Sequence, residues 1–307
     1  MSRARPIRLV TFDLYDTLIE LSPPRWERLA QALAGEGVAA DPLRLRQADR
    51  AAEDFYTVEN GARPIRDRSA DERAAFRVEH MRRWLVAAGL ADDAATASRV
   101  RARYVSEFEE TPDHHHYRLF DDVMPALLKL RSAGVRTAVI SNADLDVTVI
   151  ALHFAFADRM DLIVTSALVG YEKPDPRTFR AAVDPLGVAP AEALHVGDQP
   201  KSDIVGARGI GMQAALIDRY GRFADHDGPR VSSLTELTDL VLARLHRHRR
   251  SQPNQLPPRP QPGGRQPAAE QNGRRADRDP LALVVHEALA GKDADPLECP
   301  DRAYQDE

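Results

Sequence analysis

The feature that most limits the fold is an alternation of short apolar runs with amphipathic segments through residues 118–246. Four runs, VRTAVI at 135–140, DLIVTS at 161–166, ALHVGD at 193–198 and QAALI at 213–217, are strand-length and rich in β-branched or small residues. Helical patterns near 121–133, 144–154, 176–187 and 200–209 lie between them. Pro176 follows Asp175 as a first-turn proline follows an N-cap, and Gly134 and Gly187 stand just past helix ends. This alternation predicts a doubly wound parallel sheet. A further run, Leu9-Val10-Thr11-Phe12, supplies a first strand that ends at Asp13. Ligands of such sheets bind beyond the carboxyl ends of the strands.

Residues 21–117 break the rhythm. They carry amphipathic patterns such as RWERLAQALAGEG and DERAAFRVEHMRRWLVAAG and no convincing strand. A helical insert of about four helices is expected, placed above the strand ends because it follows the first strand directly. The expected division is a core of 1–20 and 118–246, a helical cap of 21–117, and a tail from 247 to 307. Residues 251–307 hold nine of the 22 prolines, and the stretch from 252 to 279 has almost nothing to bury, so the tail is expected to be disordered. Its apolar island LALVVHEALA at 281–290 can form a turn or two of helix, with a protein partner as the sharper alternative.

A net charge of −5 gives no general argument for nucleic-acid binding. No apolar run approaches the length of a membrane span, and the basic N-terminus lacks the apolar segment of a secretory signal. The single cysteine, Cys299, excludes an intrachain disulfide. A soluble, cytoplasmic protein is expected.

Four stretches fall at carboxyl ends of the expected strands: Asp13 with Tyr15, Asp16 and Thr17; Ser141-Asn142; Lys173 in YEKPDP; and Asp198 with Asp203 in HVGDQPKSD. A lone strand-end aspartate is more often a turn residue. Four such stretches on different strands of one sheet point to a site. Asp13 and Asp198 offer hard oxygen ligands for Mg²⁺, with the Tyr15 carbonyl as a third, and magnesium favours one or two carboxylates, waters and a substrate phosphate. Lys173 is a point charge able to hold both a carboxylate and a phosphate. The Ser141 hydroxyl and the amides at Asn142 can donate to phosphate oxygens. Asp203 is placed to orient Lys173 or a metal-bound water. Phosphoryl transfer needs mainly positioning and charge neutralisation, and a carboxylate nucleophile forms an aspartyl-phosphate that water cleaves.

The four stretches FDLYDTL, VISNAD, YEKPDPRTF and HVGDQPKSDIVGARGIGM resemble, in order, the four motifs of the haloacid dehalogenase superfamily of hydrolases, over roughly residues 7–245. The resemblance implies a Rossmann-like core, Asp13 as nucleophile, Ser141 and Lys173 on the phosphate, Asp198 on Mg²⁺, and a helical cap like that of small-molecule phosphatases and 2-haloacid dehalogenases. A small phosphorylated metabolite is the implied substrate.

One position departs from the pattern. Phosphatases of the family carry an acid/base Asp two residues after the nucleophile, where this chain has Tyr15. Three readings remain open: an Mg²⁺-dependent phosphatase that is slow or restricted; halide displacement, which the intact Gly197-Asp198 argues against; and a non-enzymatic metal- and phosphate-binding module. Asp16 as a substitute acid is weighed against solvation or helix capping, which is favoured. Arg25 is read as a surface arginine, His195 as a satisfied core histidine beside the site, and His114-His115-His116 as a solvated hinge. Trp26 and Trp84 are read as packing residues, and HRHRR at 246–250 as the cationic end of the last helix.

Overall fold

The computed structural model describes residues 5–106, 116–143 and 146–251, all of them within one unit, Met1–Gln261. The chain enters on β1 (Leu9–Phe12) and turns back as β2 (Ile19–Leu21). Four helices follow: α1 (Arg25–Gly35), α2 (Pro42–Ala62), α3 (Ala70–Ala87) and α4 (Ala94–Ser106). β3 (Tyr117–Leu119) then pairs antiparallel with β2. The remainder runs α5 (Val123–Ser132), β4 (Arg136–Ser141), α6 (Thr148–His153), β5 (Leu162–Thr165), α7 (Ser166–Val169), α8 (Pro176–Val183) and β6 (Ala193–Gly197). A π-helical turn, Pro200–Ile204, leads into α9 (Val205–Gly209), followed by β7 (Gln213–Ile217), β8 (Arg230–Val231) and α10 (Leu234–Ser251).

The main sheet has the order β5-β4-β1-β6-β7-β8, and every pairing in it is parallel. All four residues of β1 are buried, as a central strand covered on both faces requires. The order reverses direction between β1 and β6, so the switch point of this doubly wound sheet lies where Asp13 and Asp198 leave their strands. The α/β class and the parallel sheet are those expected from the sequence.

Local chemistry sets the helix starts. Asp175 caps α8, its carboxylate accepting from the Arg177 amide at 2.8 Å ahead of Pro176 in the first turn. Ser69 and Glu72 form a reciprocal capping box on α3. Helices α1–α4 close on their own apolar cluster, which includes Leu29, Leu45, Met81, Trp84 and Val100. The Trp84 indole donates to the Leu45 carbonyl at 2.7 Å, and Trp26 meets Tyr220 edge-on.

The expectations shift in detail. The helical insert is bracketed by the β2–β3 ribbon, whose three-residue strands are too short to show a period of two. The helix expected at 144–154 begins at Thr148, and the one expected at 200–209 opens with the π turn. α10 runs to Ser251, past the boundary placed at 247. His114, His115 and the chain from 252 on, with the island 281–290, lie outside the described residues. Among the described residues no helix is long and apolar enough to cross a membrane.

Phe179 of α8 is fully buried against Gly206 of α9 and the His195 ring. Phe179→Ala is expected to cost about 3–5 kcal/mol, read as a lower denaturation midpoint at unchanged slope.

Candidate active site

The sequence folds so that the ends of β1, β4 and β6 and the loop after α7 meet. Lys173 is 3% exposed. Its ammonium donates to Asp13 Oδ1 at 2.6 Å and to Asp203 Oδ1 at 2.7 Å. Burial pulls the Lys173 pKa down, and the two carboxylates outweigh it and hold the pKa above its ordinary value. Asp203 is fully buried. Burial raises its carboxyl, but Lys173 and His195 prevail and hold it well below the usual range. Its second oxygen accepts from the Gln199 amide at 2.9 Å. His195 is the satisfied core histidine expected. Burial lowers its pKa, so the neutral ring donates from Nε2 to Asp203 at 3.2 Å and accepts the Thr11 hydroxyl at Nδ1 at 2.8 Å.

The Lys173 loop is held from two sides. The Asn142 side chain brackets it, accepting the Lys173 amide at 2.7 Å and donating to its carbonyl at 3.0 Å. From the helical insert, Asn60 donates to Glu172, and Arg66 reaches Glu172 at 3.2 Å and the Gly170 carbonyl at 2.9 Å. Ser141 is fully buried at the end of β4, and its hydroxyl has no hydrogen-bond partner among the described residues. An orphaned buried donor calls for an explanation, and an oxyanion from outside the chain would supply one.

Asp13, Asp198 and Asp203 each present an oxygen within 4.8 Å of the other two. Burial pushes the Asp13 carboxyl up to about 6, against the pull of Lys173. Burial likewise lifts Asp198 well above its ordinary value, against Arg222. Around them stand Asp16, Asp49 and Glu53, so six carboxylates face three cations, Lys173, Arg25 and Arg222. That excess of buried negative charge and the all-oxygen donor set fit a hard divalent cation. Such an ion would favour the ionised forms that burial disfavours. Both oxygens of Asp203 already accept hydrogen bonds, from Lys173, His195 and the Gln199 amide, which leaves Asp13 and Asp198 as the natural pair to face it.

Two readings need correction. Arg25 is not a surface arginine. Its side chain is 16% exposed and pairs with Asp16 at 2.5 Å, Glu53 at 2.8 Å and Asp49 at 3.2 Å. Asp16 is neither solvated nor a cap: α1 has no side-chain cap, and Asp16 sits at φ 55° with its carboxylate on Arg25. The Tyr15 ring lies 5.3 Å from Tyr117 and packs on the core. Sequence reasoning also missed Arg222, which bridges Asp198 at 2.8 Å and Asp49 at 2.6 Å. The available signals were its place after β7, at another strand's carboxyl end, and the i, i+4 pair of acids Asp49 and Glu53 on α2.

A doubly wound parallel sheet with this acid–lysine–acid cluster at its switch point is the arrangement the sequence motifs predict for a haloacid dehalogenase-like core. The family model for haloacid dehalogenase-like hydrolases matches residues 7–211, and the chain belongs to that family. It is 30% identical over 224 residues, 71% of this chain and 84% of the relative, to haloacid dehalogenase-like hydrolase domain-containing protein 3 of Homo sapiens. A phosphoserine phosphatase of Thermus thermophilus is 36% identical over 146 residues, covering 47% of this chain and 57% of that protein. In fold, the chain is similar to the magnesium-bound putative hydrolase YfnB of Bacillus subtilis, with a TM-score of 0.53 at 17% identity over 78% of this chain and 100% of that one.

A Cβ on Gly197 would lie 2.3 Å from the Asp203 carboxyl carbon. Gly197→Ala is therefore expected to push Asp203 off Lys173 and cost about 1–3 kcal/mol, seen as a lowered melting temperature. For Asp13, the folded pKa lies above the unfolded one. The folded state then binds more protons between pH 4 and 6, and stability falls as pH rises through that window. Without metal, Asp13→Asn should thus gain roughly 1–3 kcal/mol over the parent at pH 8 and nothing at pH 4. Urea titrations in chelator at both values check this, and an equal loss at both would refute it.

Proposed function

We propose that this hydrolase is an Mg²⁺-dependent phosphatase acting on a small phosphorylated metabolite through an aspartyl-phosphate on Asp13. The observation that carries the reading is the convergence of Asp13, Lys173 and Asp198 on the buried, unpartnered Ser141 hydroxyl's end of the sheet. Two relatives, one named as a hydrolase and one as a phosphoserine phosphatase, support it.

Asp13 attacks the phosphorus, and the phosphoryl group passes to its carboxylate oxygen as the leaving-group oxygen departs. Water then cleaves the acyl phosphate and releases inorganic phosphate. Lys173 holds the Asp13 carboxylate in place and meets the phosphate charge. The Ser141 hydroxyl and the Asn142 backbone amide donate to its oxygens. Asp203 fixes Lys173. Asp13, Asp198 and the Tyr15 carbonyl would hold the magnesium, which supplies charge neutralisation at the phosphate. Helices α1–α4 act as the cap over the site, and the single Cys299 fits a cytoplasmic setting. The intact Gly197-Asp198 disfavours halide displacement.

The leaving group finds little proton donation here. The Tyr15 ring is turned to Tyr117, and the Asp16 carboxylate is engaged by the Arg25 guanidinium at 2.5 Å. General acid help is worth about 10²–10⁴-fold. Acyl or aryl phosphates should therefore exceed an alkyl phosphate in kcat/KM by at least about 10². Phosphate release should vanish in chelator and in Asp13→Asn. Metal-independent chloride release from 2-chloropropionate would overturn the proposal.

A further inference from the structure

We infer that Arg222 is a built-in counter-cation that competes with a divalent cation for Asp198, and that Asp49 of helix α2 sets how strongly it competes. The inference rests on the reading of Asp198 as a cation ligand.

Arg222 is divided between two carboxylates. Nη2 donates to Asp198 Oδ2 at 2.8 Å and Nη1 to Asp49 Oδ2 at 2.6 Å. Its side chain is 3% exposed, and Asp49 is completely buried. Asp49 also meets Arg25 at 3.2 Å and Asp198 also accepts from the Gln199 side chain at 2.9 Å, but Arg222 is the cation the two buried carboxylates share, so its division between them matters. Asp198 lies with Asp13 in the carboxylate cluster, whereas Asp49 belongs to the helical insert. One oxygen of Asp49 has no hydrogen-bond partner among the described residues, so Asp49 keeps capacity to draw Arg222 further toward α2.

Two consequences follow from electrostatics alone. A unit positive charge in contact with a ligand carboxylate repels an incoming dication and occupies oxygen lone pairs that would bind it. Whatever strengthens the Asp49–Arg222 pair weakens the hold of Arg222 on Asp198 and opens the site to the cation. The position of α2 and the affinity for the cation are then linked, and linkage between two such equilibria is reciprocal. A purely structural Arg222 behaves differently: its loss would disorder Asp198 and weaken cation binding.

Titration calorimetry of the full chain with MgCl₂ at pH 8 separates these roles by sign. Arg222→Gln is expected to bind Mg²⁺ at least about tenfold more tightly. Arg222→Lys, which keeps the charge, should stay within about threefold of the parent. Asp49→Asn should bind more weakly by about threefold or more, and this effect should largely disappear in the Arg222→Gln background, as a shared partner requires. Melting curves in chelator confirm that each variant is folded. If Arg222→Gln is not, Asp49→Asn alone decides. Equal or weaker binding in folded Arg222→Gln, or unchanged binding in Asp49→Asn, overturns the inference while leaving Asp198 as a ligand. Unchanged binding in Asp198→Asn defeats the reading beneath it, and the inference with it.

Discussion

One ammonium, that of Lys173, bridges two buried carboxylates, one just past β1 and one in the turn after β6, and the geometry of the site depends on it. Burial alone would neutralise each member. Together they remain charged, because each stands within 2.7 Å of an opposite charge. Such an arrangement tolerates little displacement, which explains how much of the surrounding structure serves to hold it. Asn142 clamps the Lys173 backbone on both sides, His195 and the Gln199 amide hold Asp203, and a glycine at 197 leaves room for its carboxylate. The loop is gripped from the helical insert as well, through Asn60 and Arg66 on Glu172. The lysine's position therefore depends on both parts of the chain.

The sheet was legible because its signals are local. Strand-length apolar runs, capping residues and terminal glycines lie within a few residues of what they specify. The strand-end positions of Asp13, Ser141 and Asp198 followed from the same runs. Illegible were the features made by residues far apart. Arg25 reads as an exposed arginine until α2 brings Asp49 and Glu53 beside it, 24 and 28 residues along the chain. Arg222 sits in RYGRF, a stretch with no periodicity, and its partners are 24 and 173 residues away. The β2–β3 ribbon escaped for another reason: two three-residue strands, nearly a hundred residues apart, carry too few side chains to show alternation.

The turn after Asp13 also holds the helical insert. Here a tyrosine packs its ring on Tyr117 at the base of the ribbon. The neighbouring Asp16 accepts a left-handed backbone, with φ of 55°, which a residue with a Cβ adopts at some cost. That conformation places its carboxylate on Arg25 at the start of α1. Both residues thus tie the turn to the helical insert, one through an aromatic contact and one through an ion pair. The turn that follows Asp13 is thereby an anchor for the insert, with the Asp16 carboxylate held on the Arg25 guanidinium. The conformation of this turn and the attachment of the insert are two results of the same pair of side chains.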